Sequence, residues 1–175
     1  MAQTDKVRVY GKAQNRTALG IIHAWALAYP NGTLEDLRAA FPNSLNPDKG
    51  TKENFILSHE KGTEANWDGY FKEPEEIVLL QDGSQVSVVK MWTKPSFERI
   101  VAKAKEYGIV VAEFTEAEKG FGKKGGFRLE YLNGWTPPVA KKKCTCCWIW
   151  LLLALIAIAA AVYFFCFYAV SYTHL

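Results

Sequence analysis

Cys144 and Cys147 form a C-x-x-C pair, with Cys146 inside it. That spacing serves dithiol redox chemistry when it opens a helix of a thioredoxin-like βαβ unit. It serves zinc when a second ligand pair lies at a suitable distance. Here the pair follows Lys141, Lys142 and Lys143 and runs into a long apolar segment. No cysteine precedes Cys144, and His23 and His59 are isolated in sequence. Neither redox nor zinc chemistry is expected, and the cysteines read as small, fairly apolar residues at a membrane entry. The juxtamembrane setting suits S-acylation in hosts that perform it.

A second pattern, GFGKKG at 120–125, matches a bare G-x-G-x-x-G. Pyrophosphate binding needs a strand before such a turn and a helix N-terminus after it. Here FRLEYL follows, a run with strand character, so a basic hairpin tip is expected instead. Lys123 and Lys124 at that tip suit contact with anionic headgroups. No G-x-x-x-x-G-K-[ST] and no H-x-x-x-H occur. Glu75 and Glu76 flank no recognisable partner, and His59-Glu60 stands alone in a polar stretch. These carboxylates read as solvated surface, and His23, among apolar residues, reads as core. No catalytic residue, metal site or cofactor is expected, and the chain does not read as an enzyme, the less favoured alternative being an enzyme whose site forms only in three dimensions.

The elements that surround these residues divide the chain into two materials. Every Lys, Arg, Asp and Glu lies at or before Lys143, and the last 32 residues carry no formal charge. The net charge of +3 is too small to imply nucleic acid by itself. The cysteine-free body does not resemble a disulfide-stapled secreted fold. Its first residues lack the basic start and apolar run of an export signal.

Trp148 to Val170 is an uncharged run of about 23 residues. As a helix it reaches about 34 Å, slightly more than a hydrocarbon core of about 30 Å. Trp148 and Trp150 mark one interface, and Tyr163 and Tyr168 with nearby phenylalanines mark the other. Lys141, Lys142 and Lys143 abut the first rim, and only His174 lies beyond the second. Positive charge stays cytoplasmic, so the body is expected in the cytoplasm and the C-terminus across a bacterial inner membrane. The expected divisions are an α+β domain at 1–135, a basic cysteine-containing linker at 136–147, a transmembrane helix at 148–170 and a short tail at 171–175. The tail, SYTHL, resembles a translated adapter remnant.

Within the body, alternation in KVRVYG predicts a strand at 6–11. Apolar spacing predicts a helix at 15–29, with Ala18, Ile21, Ile22, Trp25, Ala28 and Tyr29 on one face. Thr33 and Asp36 suggest a capping box on a helix ending at Pro42. NFILS at 54–58 reads as a strand. Asp82-Gly83 between two β-rich runs predicts a two-residue type I′ hairpin. Thr93 and Pro95 start another helix, Gly108 fits its C-terminal cap, and IVVAEF and FRLEYL follow as strands. The order is α+β.

Residues 59–75 look irregular, yet hold Trp67, Tyr70 and Phe71. These three form a candidate partner surface, because aromatics bury large area at modest entropic cost. The alternative expectation is that they cap the core beneath a loop. Helix, turn, helix and a later hairpin also suit a winged helix, which would make the protein a membrane-tethered DNA binder. Its recognition helix would fall at Pro47–Glu53, where Lys49 and Lys52 sit beside Asp48 and Glu53 and no base-reading face is evident. Nucleic acid is therefore not the favoured partner. The favoured reading is a tail-anchored protein whose cytoplasmic domain senses or binds a protein partner, with the lipid bilayer as its other partner.

The stretch from YPNGTLEDLRAAFPNSLN through FKEPEEIVLLQDGSQVSVVKMW to FERIVAKAKEYGIVV resembles a small α+β module of uncharacterised bacterial proteins. The resemblance implies architecture and bacterial origin, and no site residue.

Overall fold

The computed structural model describes residues 4–65, 67–113, 126–139 and 155–163. The chain divides into two compact units, residues 1–140 and 141–175. The first unit is α+β, as expected, and is built on two three-stranded sheets.

The central strand of the first sheet is β1 (Val7–Gly11). It pairs in parallel with β5 (Ile109–Val111), Val7 opposite Ile109. On its other side lies antiparallel β6 (Phe127–Tyr131), with Val9 opposite Leu129. Alternation puts Val7, Val9 and Gly11 on the buried face. Arg8 and Tyr10 take the opposite face, where both meet the Glu130 carboxylate, Tyr10 donating at 2.6 Å. That hydrogen bond, then the two nearby arginines, hold the Glu130 carboxyl below its ordinary range.

Helix α1 (Gln14–Ala28) covers the buried face of this sheet. It is more enclosed than a one-faced helix: Thr17 to Ile22, Ala24 and Trp25 are all buried. The cause is its central position, because it touches β1, β5 and β6, strand β3 (Val78–Leu79) and helix α4 (Lys94–Lys105). A Cβ at Gly20 would lie 2.6 Å from Val9 Cγ1, so this helix turn approaches the sheet closer than a side chain permits.

Helix α2 (Leu34–Ala40) carries the expected capping box, with Thr33 accepting from Asp36 N and Asp36 accepting from Thr33 N. The Pro47–Glu53 segment forms turns and bends rather than a recognition helix. Lys49 within it is buried at 3 % exposure, with Nζ 3.4 Å from the Asn46 carbonyl.

The second sheet has the order β2 (Ile56–Ser58), β4 (Gln85–Val88), β3 (Val78–Leu79), all antiparallel. A six-residue helix, α3 (His59–Glu64), follows β2 where irregular chain was expected. Gly62 allows this close packing, since a Cβ there would lie 2.8 Å from Ser87 Cβ.

The β3–β4 hairpin differs from the expected two-residue turn. Val78 faces Val86 and Leu79 faces Gln85, and Leu80 N bonds to Ser84 O. The loop is therefore Gln81-Asp82-Gly83, closed by Gly83 N to Leu80 O. Only Gly83 takes the left-handed conformation, at φ +84°. Asp82 instead accepts from Ser84 N at 2.9 Å, which favours a three-residue loop with glycine last. Helix α4 begins at its Thr93 cap as expected, and Gly108, at φ +73°, turns the chain into β5.

In the second unit, residues 155–163 are helical and every one of them is exposed. Among the described residues no helix is long and apolar enough to cross a membrane. The rest of the expected span, with Trp148, Trp150 and Tyr168, lies outside the described residues, as do Lys141, Lys142, Lys143 and Cys144 to Cys147.

Candidate functional site

The aromatic stretch at 67–71 is partly a strand extension. Lys90 N donates to Gly69 O at 2.6 Å and Phe71 N donates to Val88 O at 2.8 Å, while Tyr70 bridges Val89. These bonds add residues 69–71 to the chain that continues from β4. Adjacent residues of an extended chain point to opposite faces, and Tyr70 and Phe71 are each 1 % exposed, so this extension is covered on both faces. Tyr70 donates its hydroxyl to Asn54 O at 2.9 Å, and burial pushes the phenol pKa up. Both residues belong to the core, which corrects their placement on a partner surface.

Trp67 differs. It is 38 % exposed and lies edge-on to Tyr70, ring centroids 6.2 Å apart. Its ring covers Gly69, where any Cβ would collide at 1.8 Å. Gly50 and the exposed Met91 are neighbours of the same patch. Lys123 and Lys124, the other candidate surface residues, lie outside the described residues.

Two polar pairings join residues far apart in sequence. Glu76, 7 % exposed, accepts from the Arg16 guanidinium and from Lys72 N at 3.3 Å and Glu73 N at 3.2 Å. Arg16 also lies over the Phe71 ring at 4.5 Å. The expectation that Glu76 is solvated surface is therefore corrected: it clamps α1 to the turn before β3. A separation of 60 residues leaves no local signal for this pair. Glu76→Ala will strand a partly buried guanidinium and release two backbone donors. A loss of about 2 kcal/mol is expected, below the figure for a fully buried pair because Arg16 retains some solvent. Urea unfolding followed by circular dichroism measures it, and an unchanged midpoint would show that the clamp is energetically idle.

The second pairing places His59 Nδ1 3.0 Å from Ser87 Oγ. A serine beside a histidine suggests nucleophilic catalysis. Ser87, however, is fully buried in β4 beneath α3, so no substrate carbonyl can reach its hydroxyl. The pair orients the start of α3 and is structural. Among the described residues no cluster of three His, Cys, Asp or Glu side chains could hold a metal.

A crevice of about 560 Å³ opens beyond the carboxyl ends of the parallel strands β1 and β5. Gly11, Lys12, Ala13, Gln14 and Thr17 line one side, and Phe97, Val111, Ala112 and Glu113 the other. Gly11 is required there, since a Cβ would meet Thr17 Oγ1 at 2.1 Å. Its walls are mainly apolar, with Lys12 and Glu113 as its charged groups. The sequence reading missed it because it joins residues separated by about 100 positions, none in a recognised motif.

No family model, curated protein or solved structure matches this chain.

Proposed function

We propose that the protein is a tail-anchored membrane protein presenting a cytoplasmic α+β interaction or sensing domain at a bacterial inner membrane. The observation that carries this reading is the helix at 155–163. Leu155, Ile156, Ile158, Val162 and Tyr163 are all exposed, with only alanines between them. A helix that is apolar all round and exposed all round has no stable place in water, and a bilayer is the solvent that suits it. The uncharged flanks at 148–154 and 164–170 extend it to spanning length, and Lys141, Lys142 and Lys143 orient it. Trp67 with Met91 is the proposed partner surface of the domain. Binding rather than catalysis is proposed, because the Ser87 hydroxyl beside His59 is buried and Glu76 is held by Arg16.

The full chain should stay with membranes through alkaline carbonate washing and dissolve only in detergent, while a 1–138 fragment should remain soluble and folded. Protease should digest the domain in inside-out vesicles and spare it in intact cells. Replacing Lys141, Lys142 and Lys143 with glutamine should reduce attraction to anionic lipid by about 1 kcal/mol per lysine and increase the fraction of inverted chains. Release of the full chain by carbonate would refute the anchor. A domain digested from outside intact cells would refute its orientation.

A further inference from the structure

We propose that the crevice at the carboxyl ends of β1 and β5 binds a small zwitterion with an apolar side chain, the chemical class of a free aliphatic or aromatic α-amino acid. Its volume, about 560 Å³, falls within the range of small-molecule sites. The walls offered by Thr17, Phe97, Val111 and Ala112 are apolar or nearly so, and suit a hydrocarbon side chain. The chain brings one charge of each sign to this place. Ala112 N donates to Val9 O at 2.9 Å, continuing the β1–β5 ladder and setting Glu113 beside the Gly11-Lys12 turn. Lys12 N is itself fixed by Gly126 O at 3.0 Å.

Among the described residues neither the Lys12 ammonium nor the Glu113 carboxylate has an ion-pair partner. Both groups stand at the rim of the crevice, Glu113 exposed and Lys12 half-buried. An uncharged ligand would leave both charges unanswered, and a simple anion or cation would satisfy one while facing repulsion from the other. A zwitterion satisfies both. Helix α1 adds to the cation side, because its Ala13 cap provides no side-chain acceptor and its first turn holds no acidic residue. The carboxylate of the ligand is accordingly assigned to Lys12 and its ammonium to Glu113.

The test uses the full chain in lipid nanodiscs, titrated calorimetrically with four probes. These are L-leucine, L-phenylalanine, N-acetyl-L-leucine, which lacks the ammonium, and L-leucinamide, which lacks the carboxylate. Binding of at least one free amino acid is expected, with both blocked leucines weaker than L-leucine by about tenfold or more. Lys12→Gln should weaken L-leucine and leave L-leucinamide unchanged. Glu113→Gln should weaken L-leucine and leave N-acetyl-L-leucine unchanged. Both substitutions are at unpaired side chains, and equal melting temperatures will verify that the fold is intact. Absence of binding by both free amino acids would overturn the assignment, as would equal affinity for free and blocked leucine. The outcome is independent of the anchor, because the crevice lies wholly within the first unit.

Discussion

Alanine at Tyr70 will destabilise the domain by about 3–5 kcal/mol, the cost of emptying a fully buried aromatic site. Alanine at Trp67, three residues earlier, will cost about 1 kcal/mol. The difference follows from the strand extension at 69–71. Tyr70 lies inside the hydrophobic cluster with Phe55, Val88 and Val89, and its hydroxyl bonds to the Asn54 carbonyl. Its removal leaves a cavity and an unpaired carbonyl. Trp67 covers Gly69 from outside and retains 38 % of its surface in solvent. Urea denaturation followed by far-ultraviolet circular dichroism reads both variants without relying on the altered chromophores. Equal losses would place Trp67 in the core and eliminate it as a partner anchor. A small loss at Tyr70 would mean that the 69–71 extension is not part of the cooperative unit.

The same stretch shows how far the sequence could be read. Helix α2 was legible because its Thr33–Asp36 box is local, and α4 because Thr93, Pro95 and Gly108 mark its ends. The hairpin was legible in place and not in type. Whether Asp82 adopts a positive φ depends on whether it instead accepts from Ser84, and both options suit Asp-Gly. The 69–71 extension was not legible, because Tyr70 and Phe71 are adjacent and both buried, which leaves no alternation between the polar flanks Asp68 and Lys72. Helix α3 was not legible either. It is one short stretch whose place comes from Gly62 packing against Ser87, a contact between remote segments. The crevice, the Arg16–Glu76 clamp and the His59–Ser87 pair share this origin. Each joins parts of the chain brought together by the sheets, and no spacing within one segment encodes them.

Acidification from pH 6.5 to 4.5 will weaken the domain by about 2 kcal/mol through one histidine. Two turns beyond Arg16 on α1, His23 sits against the Phe127 ring, centroids 4.8 Å apart. Its Nε2 is buried without a partner, and the ring's hydrogen bond goes to the Glu76 backbone. Burial lowers its pKa to about 4, and the weaker pull of the Glu76 carbonyl towards the charged form does not offset this. In the unfolded chain the same ring takes its proton near pH 6.5. Between these values the unfolded state binds the extra proton, so stability falls as pH falls. The contribution is complete above pH 6.5. It declines by about 1.4 kcal/mol per unit below that, until the folded ring protonates near pH 4. The charged groups around it do not obscure this window. Arg16 is paired with Glu76. Asp36 and Glu130 are held below their ordinary carboxylate range by hydrogen bonds from Thr33 and Tyr10, so their losses come at lower pH. His23→Gln retains an amide donor for the Glu76 carbonyl and removes the titration. Urea midpoints measured from pH 7 to pH 4.5 should slope downward for the unaltered chain and run nearly flat for the glutamine variant. Equal slopes for the two would place the buried proton site elsewhere and leave His23 as an accessible, ordinary imidazole.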